Sequence, residues 1–158
     1  SQYNTQTIDN DIAIIQLSRR LVLGRLNSGS ICLPTKSNRL SVGDALTVMG
    51  WGVTDTATHS SLLRTVDIPM ISLNKCRKQY KHLPKVYKIT DNMICAGFAS
   101  GGKDACSGDS GGPLVKCFDG NTYVLIGIVS KGFGCGRPEK AGVYTNVANY
   151  VDWIYAHL

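Results

Sequence analysis

The stretch Asp104-Ala105-Cys106-Ser107-Gly108-Asp109-Ser110-Gly111-Gly112-Pro113 concentrates the residues best suited to chemistry. A serine hydroxyl becomes a nucleophile only when a base takes its proton. It also needs N–H groups aimed at the oxyanion formed by its attack on a carbonyl. Ser110 sits among glycines, which let the backbone turn sharply and let a substrate come close. Taken alone, Gly-Ser-Gly equally fits a polar turn between strands. A second candidate is Asp11, a carboxylate just ahead of the apolar run Ile12-Ala13-Ile14-Ile15-Gln16-Leu17. If that run is a buried strand, Asp11 is partly desolvated and needs a partner. If not, it is a solvated loop aspartate. The histidines are His59, in a polar loop, His82, in a basic run, and His157, near the end of the chain.

The elements that must position these residues are mostly strands. Leu46–Val53, Leu62–Ile71, Met93–Gly97, Pro113–Val115, Tyr123–Ser130 and Gly142–Thr145 all read as β. Pro69 points to an edge or a bulge in the second of these. Asn146–Leu158 reads as an amphipathic helix. Asn146 is its cap, and Val147, Tyr150, Val151, Ile154, Tyr155 and Leu158 share one face. Ser1–Asn10 reads as a loop. Residues 74–88 carry six Lys/Arg, one His and no acid, and read as a short helix and loop. Such a run is either a solvated face or a site for an acidic protein or a polysaccharide.

Composition narrows the class. At 158 residues with 43% hydrophobic content the chain is globular and of one domain. Six cysteines without paired Cys-x-x-Cys spacing point to disulfides and an oxidising compartment, and no metal site is expected. The net charge of +6 says little beyond solubility and calls for no nucleic-acid partner. The longest apolar run, Val124–Val129, is too short to span a membrane. No signal peptide opens the chain, so a mature or processed piece is expected.

Together these segments resemble the trypsin/chymotrypsin-like serine proteases. The likeness rests on Asp104–Pro113, Asn10-Asp11-Ile12-Ala13, Ile31-Cys32-Leu33-Pro34, Gly50-Trp51-Gly52, Met93-Ile94-Cys95-Ala96-Gly97 and Gly142-Val143-Tyr144-Thr145, in family order along the whole chain. It implies an all-β, double antiparallel β-barrel with a C-terminal helix, lacking most of the first barrel. Residues 1–34 would be the end of the first barrel and the crossover, 35–145 the second barrel, and 146–158 the helix. It implies Ser110 as nucleophile, the N–H groups of Gly108 and Ser110 as oxyanion hole, and Asp11 as the triad aspartate that orients a histidine. Asp109 would hold the hole in shape. Asp104 would floor the S1 pocket, with Ser130, Gly132 and Gly142 in its walls, so cleavage after Arg or Lys is expected. No cofactor is implied.

Two elements of the family are missing. The histidine base of the family precedes the triad aspartate, whereas His59, His82 and His157 all follow Asp11. The free amine that inserts beside Asp109 is also absent. A separate N-terminal chain carrying the histidine is therefore expected, in a secreted enzyme inactive without it. The alternative is an inactive homologue that acts as a binding or cofactor module. Lys131 replaces the usual tryptophan, which would set a positive charge beside the second to fourth substrate positions. Ala105 replaces a common serine, and Ala141 a common proline. Cys76–Cys95 and Cys106–Cys135 resemble family disulfides. Cys117 falls one residue late, which on a strand turns it outward from the barrel. With Leu46 in place of its usual partner, a Cys32–Cys117 bridge is expected.

Overall fold

The computed structural model describes residues 2–24 and 28–158. Ser1, where the expected N-terminal loop begins, lies outside them. Six strands close into one antiparallel barrel: β1 (Ala45–Gly50), β2 (Arg64–Ile71), β3 (Met93–Ala96), β4 (Pro113–Phe118), β5 (Thr122–Lys131) and β6 (Gly142–Asn146). Their order around the cylinder is β1-β2-β3-β6-β5-β4, and β4 pairs back onto β1. Closure leaves no exposed edge. The seams are unequal. β1–β2 and β4–β5 each hold six register pairs, whereas β1–β4 and β2–β3 hold two each.

Alternation sends Leu46, Val48, Ile68, Ile94, Leu114, Val124, Ile126 and Tyr144 into the barrel core. β3 is buried on both faces, as its unbroken Met-Ile-Cys-Ala run requires. Ile94 and Ala96 face the barrel core, while Met93 and Cys95 join a second cluster with Cys76, Tyr80 and Ile89. That cluster sits under α1 (Leu73–Tyr80), which Ser72 caps by accepting the N–H of Lys75. Disulfides join Cys76 to Cys95 and Cys106 to Cys135.

Several expectations need correction. Residues 12–17 form no strand; Ile15 is 84% and Leu17 56% exposed. A strand exists only with a neighbour to share its ladder, and residues 12–17 enter no β-ladder or isolated bridge among the described residues. Pro69 marks neither edge nor bulge: it lies opposite Ala45, the first residue of β1, in an unbroken ladder. The C-terminal helix is shorter than expected. A 3-10 turn (Val147–Tyr150) leads into α2 (Val151–Tyr155). Asn146 makes no cap bond and instead donates to Asn149. Tyr155 and Leu158 point to solvent. Among the described residues no helix is long and apolar enough to cross a membrane.

The expected Cys32–Cys117 bridge is absent, and both thiols are free. Cys32 bridges to Val124 of β5, while on the other side of β5 Val124 pairs with Lys116, the neighbour of Cys117. β5 thus stands between the two cysteines. Two strand spacings are about 9–10 Å, beyond the reach of a disulfide.

Candidate active site

The site is built by the loops between β3 and β4 and between β5 and β6. The Cys106–Cys135 disulfide, with Cα atoms 5.3 Å apart, fastens one loop to the other. Asp104 lies on the first loop. Its Oδ1 accepts the N–H of Ala105 (2.9 Å) and its Oδ2 that of Gly136 (3.0 Å). Burial pushes its carboxyl above the usual range, against the pull of those two N–H groups. A carboxylate so placed has donors on its rim and unused lone pairs toward the cavity above it.

That cavity holds about 180 Å3 and is lined by Asp104, Ser110, Ser130, Gly132, Gly142 and Tyr144, among others. Gly142 leaves its floor open, because a Cβ there would lie 2.7 Å from Asp104 Oδ1. Ser110 is exposed at the mouth. The turn around it needs Gly108 at φ +95° and Gly111 at φ +81°, conformations that side chains disfavour. Its internal bonds are Asp109 N–H to Cys106 O and Gly112 N–H to Asp109 O. No acceptor among the described residues takes the N–H of Gly108 or Ser110. An exposed hydroxyl thus shares its loop with two unused backbone donors.

Asp109 turns inward beneath the loop. Its Oδ1 accepts the N–H of Gly52 (2.8 Å) and its Oδ2 that of Cys106 (2.9 Å). This clasp explains Gly50-Trp51-Gly52. A Cβ on Gly50 would overlap the Asp109 carboxylate, and one on Gly52 would sit 2.6 Å from its Cγ. A second cavity, about 430 Å3, opens on this side between Gly52, Asp55, Arg64, Lys103 and Asp109.

Asp11 arrives from the N-terminal loop. Its Oδ2 accepts the hydroxyl of Ser130 (2.8 Å), and its carbonyl accepts that of Thr145 (2.7 Å). The same loop is anchored by Thr90 donating to Asp9 and by Tyr150 donating to Asn10. Asp11 is thereby fixed to the strand ends that frame the cavity. Among the described residues no histidine bonds to Asp11 or Ser110. His82 lines a groove beside α1, and the His157 ring lies tilted against Trp153, with centroids 4.9 Å apart. His59 is less remote than its polar loop suggests: its Nδ1 lies 3.6 Å from where a Cβ on Gly108 would be. Ser60 N–H bonding to Trp51 O brings it there.

Lys131 departs from expectation. It lines the cavity, yet its amine is already engaged: Nζ donates to the carbonyls of Thr7 (2.6 Å), Val86 (2.8 Å) and Lys88 (3.1 Å). Alternation fixes the side from which a strand residue emerges, but a four-carbon stem lets the charge settle elsewhere. The Tyr144 hydroxyl was not foreseen. It is buried with no bonding partner among the described residues and lies beside Asp104, and burial raises its pKa. Its signal in the sequence is the two-residue step from Gly142, which puts both on one face of β6.

The Trypsin family profile matches residues 1–154. The chain is 42% identical over 156 residues to trypsin-1 of Astacus astacus, covering 98% of this chain and 62% of that protein. It is 42% identical to trypsin eta of Drosophila melanogaster over 153 residues, 96% of this chain and 55% of the relative. It is 39% identical to trypsin Blo t 3 of Blomia tropicalis over 156 residues, 97% of this chain and 56% of the relative. The chain thus spans roughly three-fifths of the length of the curated relatives it matches.

Proposed function

The chain belongs to the trypsin family, and from that membership we propose that it is the larger part of a secreted serine endopeptidase that cleaves after Arg or Lys. Residues 1–34 are the end of a first barrel and its crossover, 35–145 the second barrel, and 146–158 the terminal helix. The observation that carries the reading is the exposed Ser110 beside two unused N–H groups, at the mouth of a pocket floored by Asp104. Ser110 Oγ attacks the scissile carbonyl and gives its proton to a histidine on the N-terminal segment. The carbonyl oxygen gains the charge and is held by the N–H groups of Gly108 and Ser110. The histidine returns the proton to the leaving amine, and water then hydrolyses the acyl-enzyme. Asp11, steadied by Ser130, orients that histidine. Asp104 meets the Arg or Lys side chain, since a buried carboxylate is costly without a cation. The two disulfides fit an oxidising compartment.

The test is labelling of the full-length protein by a fluorophosphonate, followed by Ser110→Ala. Labelling at Ser110, and a loss of turnover of at least about 10³-fold in the variant, support the enzyme. An unlabelled serine would favour the alternative, an inactive homologue that acts as a binding or cofactor module.

A polyanion partner at Lys75–Lys88 belongs to the same proposal. Six of the 17 Lys and Arg lie there, leaving 11 to balance the 11 acids elsewhere. The groove beside α1, about 410 Å3, is lined by Lys75, Lys78, His82 and Lys140 with Glu139 as its one acid. Retention on heparin that persists at physiological salt is the expected result. Elution below it makes the run a solvated face.

A further inference from the structure

Lys131 ends β5 between two residues of the pocket wall, Ser130 and Gly132. An ammonium has three N–H donors, and here each has a carbonyl: Thr7, Val86 and Lys88. The acceptors come from two separate segments. Thr7, itself buried, lies in the N-terminal loop that carries Asp11; Val86 and Lys88 lie in and just after the 3-10 turn Lys85–Tyr87. One side chain therefore ties together three stretches that no β-ladder joins. The exposed Lys85, which donates to Gln6 (2.6 Å), is a weaker outer link between the same two segments.

We propose that Lys131 is a positioning residue: its ammonium fastens the Asp11 loop and the 85–88 turn to the end of β5, holding Ser130–Gly132 in register with the pocket as the edge along which substrate backbone pairs. The link to substrate rests on the protease reading; the fastening stands without it. Burial pushes the amine down to about 8, while Asp9 and Asp11 pull the other way. The other charged or titratable groups on the packed segments are Tyr3, Lys85, Tyr87 and Lys88, with Tyr150 on the far side of the loop bonded to Asn10. The amine therefore holds its proton less tightly in the closed arrangement than in an opened one, and closure of these segments strengthens as pH rises from about 8 toward the ordinary lysine range.

The test is amide hydrogen exchange on the full-length protein. In Lys131→Met, residues 4–9 and 85–89 should exchange about tenfold faster, with the strands of the barrel unaffected. In Lys131→Ala, added n-propylammonium, which carries three N–H donors, should restore protection, whereas tetramethylammonium, which carries none, should not. In the unaltered protein, protection of these segments, corrected for intrinsic exchange, should rise between about pH 8 and pH 10, where an opened loop would still bind the proton that the buried amine has lost. For peptides extending four residues ahead of the cut, Lys131→Met should raise KM by more than it lowers kcat. Exchange within about twofold of wild type, or equal effects of the two ammonium ions, overturns the proposal. If neither variant folds, the pH series decides, and flat or falling protection overturns it. Altered exchange in a protein with no turnover sinks the protease reading and leaves the fastening; unaltered exchange in an active enzyme does the reverse.

Discussion

Gly142→Ala is the sharpest probe of the pocket. Gly142 opens β6 opposite Ala96, outside the left-handed region, so alanine suits its backbone. At such a site alanine alone stabilises by about 0.4–1 kcal/mol through the unfolded chain. The neighbours oppose it. The new Cβ would lie 2.7 Å from Asp104 Oδ1, 2.9 Å from the Tyr144 hydroxyl and 3.1 Å from Tyr144 Cε2. Neither can easily yield, because Asp104 is held by two N–H groups and Tyr144 is 1% exposed. Overpacking of this kind costs about 1–3 kcal/mol, so a net loss of about 1–2 kcal/mol is expected in urea unfolding. A small amidinium must reach Asp104 through a cavity of about 180 Å3 that the methyl narrows. Calorimetry should show at least a tenfold loss of affinity, about 1.4 kcal/mol. Unchanged stability with undiminished amidinium binding would refute the placement of Gly142 between Asp104 and Tyr144.

Asp109→Asn leaves an amide nitrogen facing one of two N–H donors and should cost about 2–3 kcal/mol in urea unfolding; a loss below about 0.5 kcal/mol would show that the clasp is idle. Folded Asp104 holds its proton more tightly than an unfolded carboxyl, so it favours the folded state as pH falls from its raised value through the ordinary carboxylate range. Amidinium affinity should run the other way and fall with acid, and a pH-independent affinity would exclude Asp104 as the pocket floor. Tyr80→Phe removes a buried hydroxyl that donates to Ala141 O at 2.6 Å, and should lower stability by about 1–2 kcal/mol in thermal melts, whereas an unchanged melt would deny that bond a role.

The local features of the site are legible in the sequence. Glycines flank Ser110 because its turn needs them, and Asp104 stands at a fixed offset on the same loop. What is not legible arises from contacts between distant residues. Gly50 and Gly52 stand out as a landmark, yet their reason is a carboxylate 57 positions beyond Gly52. Residues 12–17 have the composition of a strand, but composition cannot supply the neighbour. Cys32 and Cys117 look like leftovers that should pair, and only the order of strands shows that β5 divides them. At Lys131 the pattern identifies the strand but cannot say where a flexible charge will find three carbonyls.

The unequal seams of the barrel have a mechanical consequence. Two-pair seams on either side of β1 and β2 make that hairpin one leaf of a clamshell, with β3, β4, β5 and β6 as the other. Local opening follows the lines with fewest bonds. The Asp104 pocket belongs to the second leaf, whereas the Gly52 donor that grips Asp109 follows directly from β1 on the first. A small hinge motion of the hairpin therefore slackens the turn around Ser110 while the pocket keeps its shape, so the alignment of the hydroxyl and the fit of a cation respond to different strains.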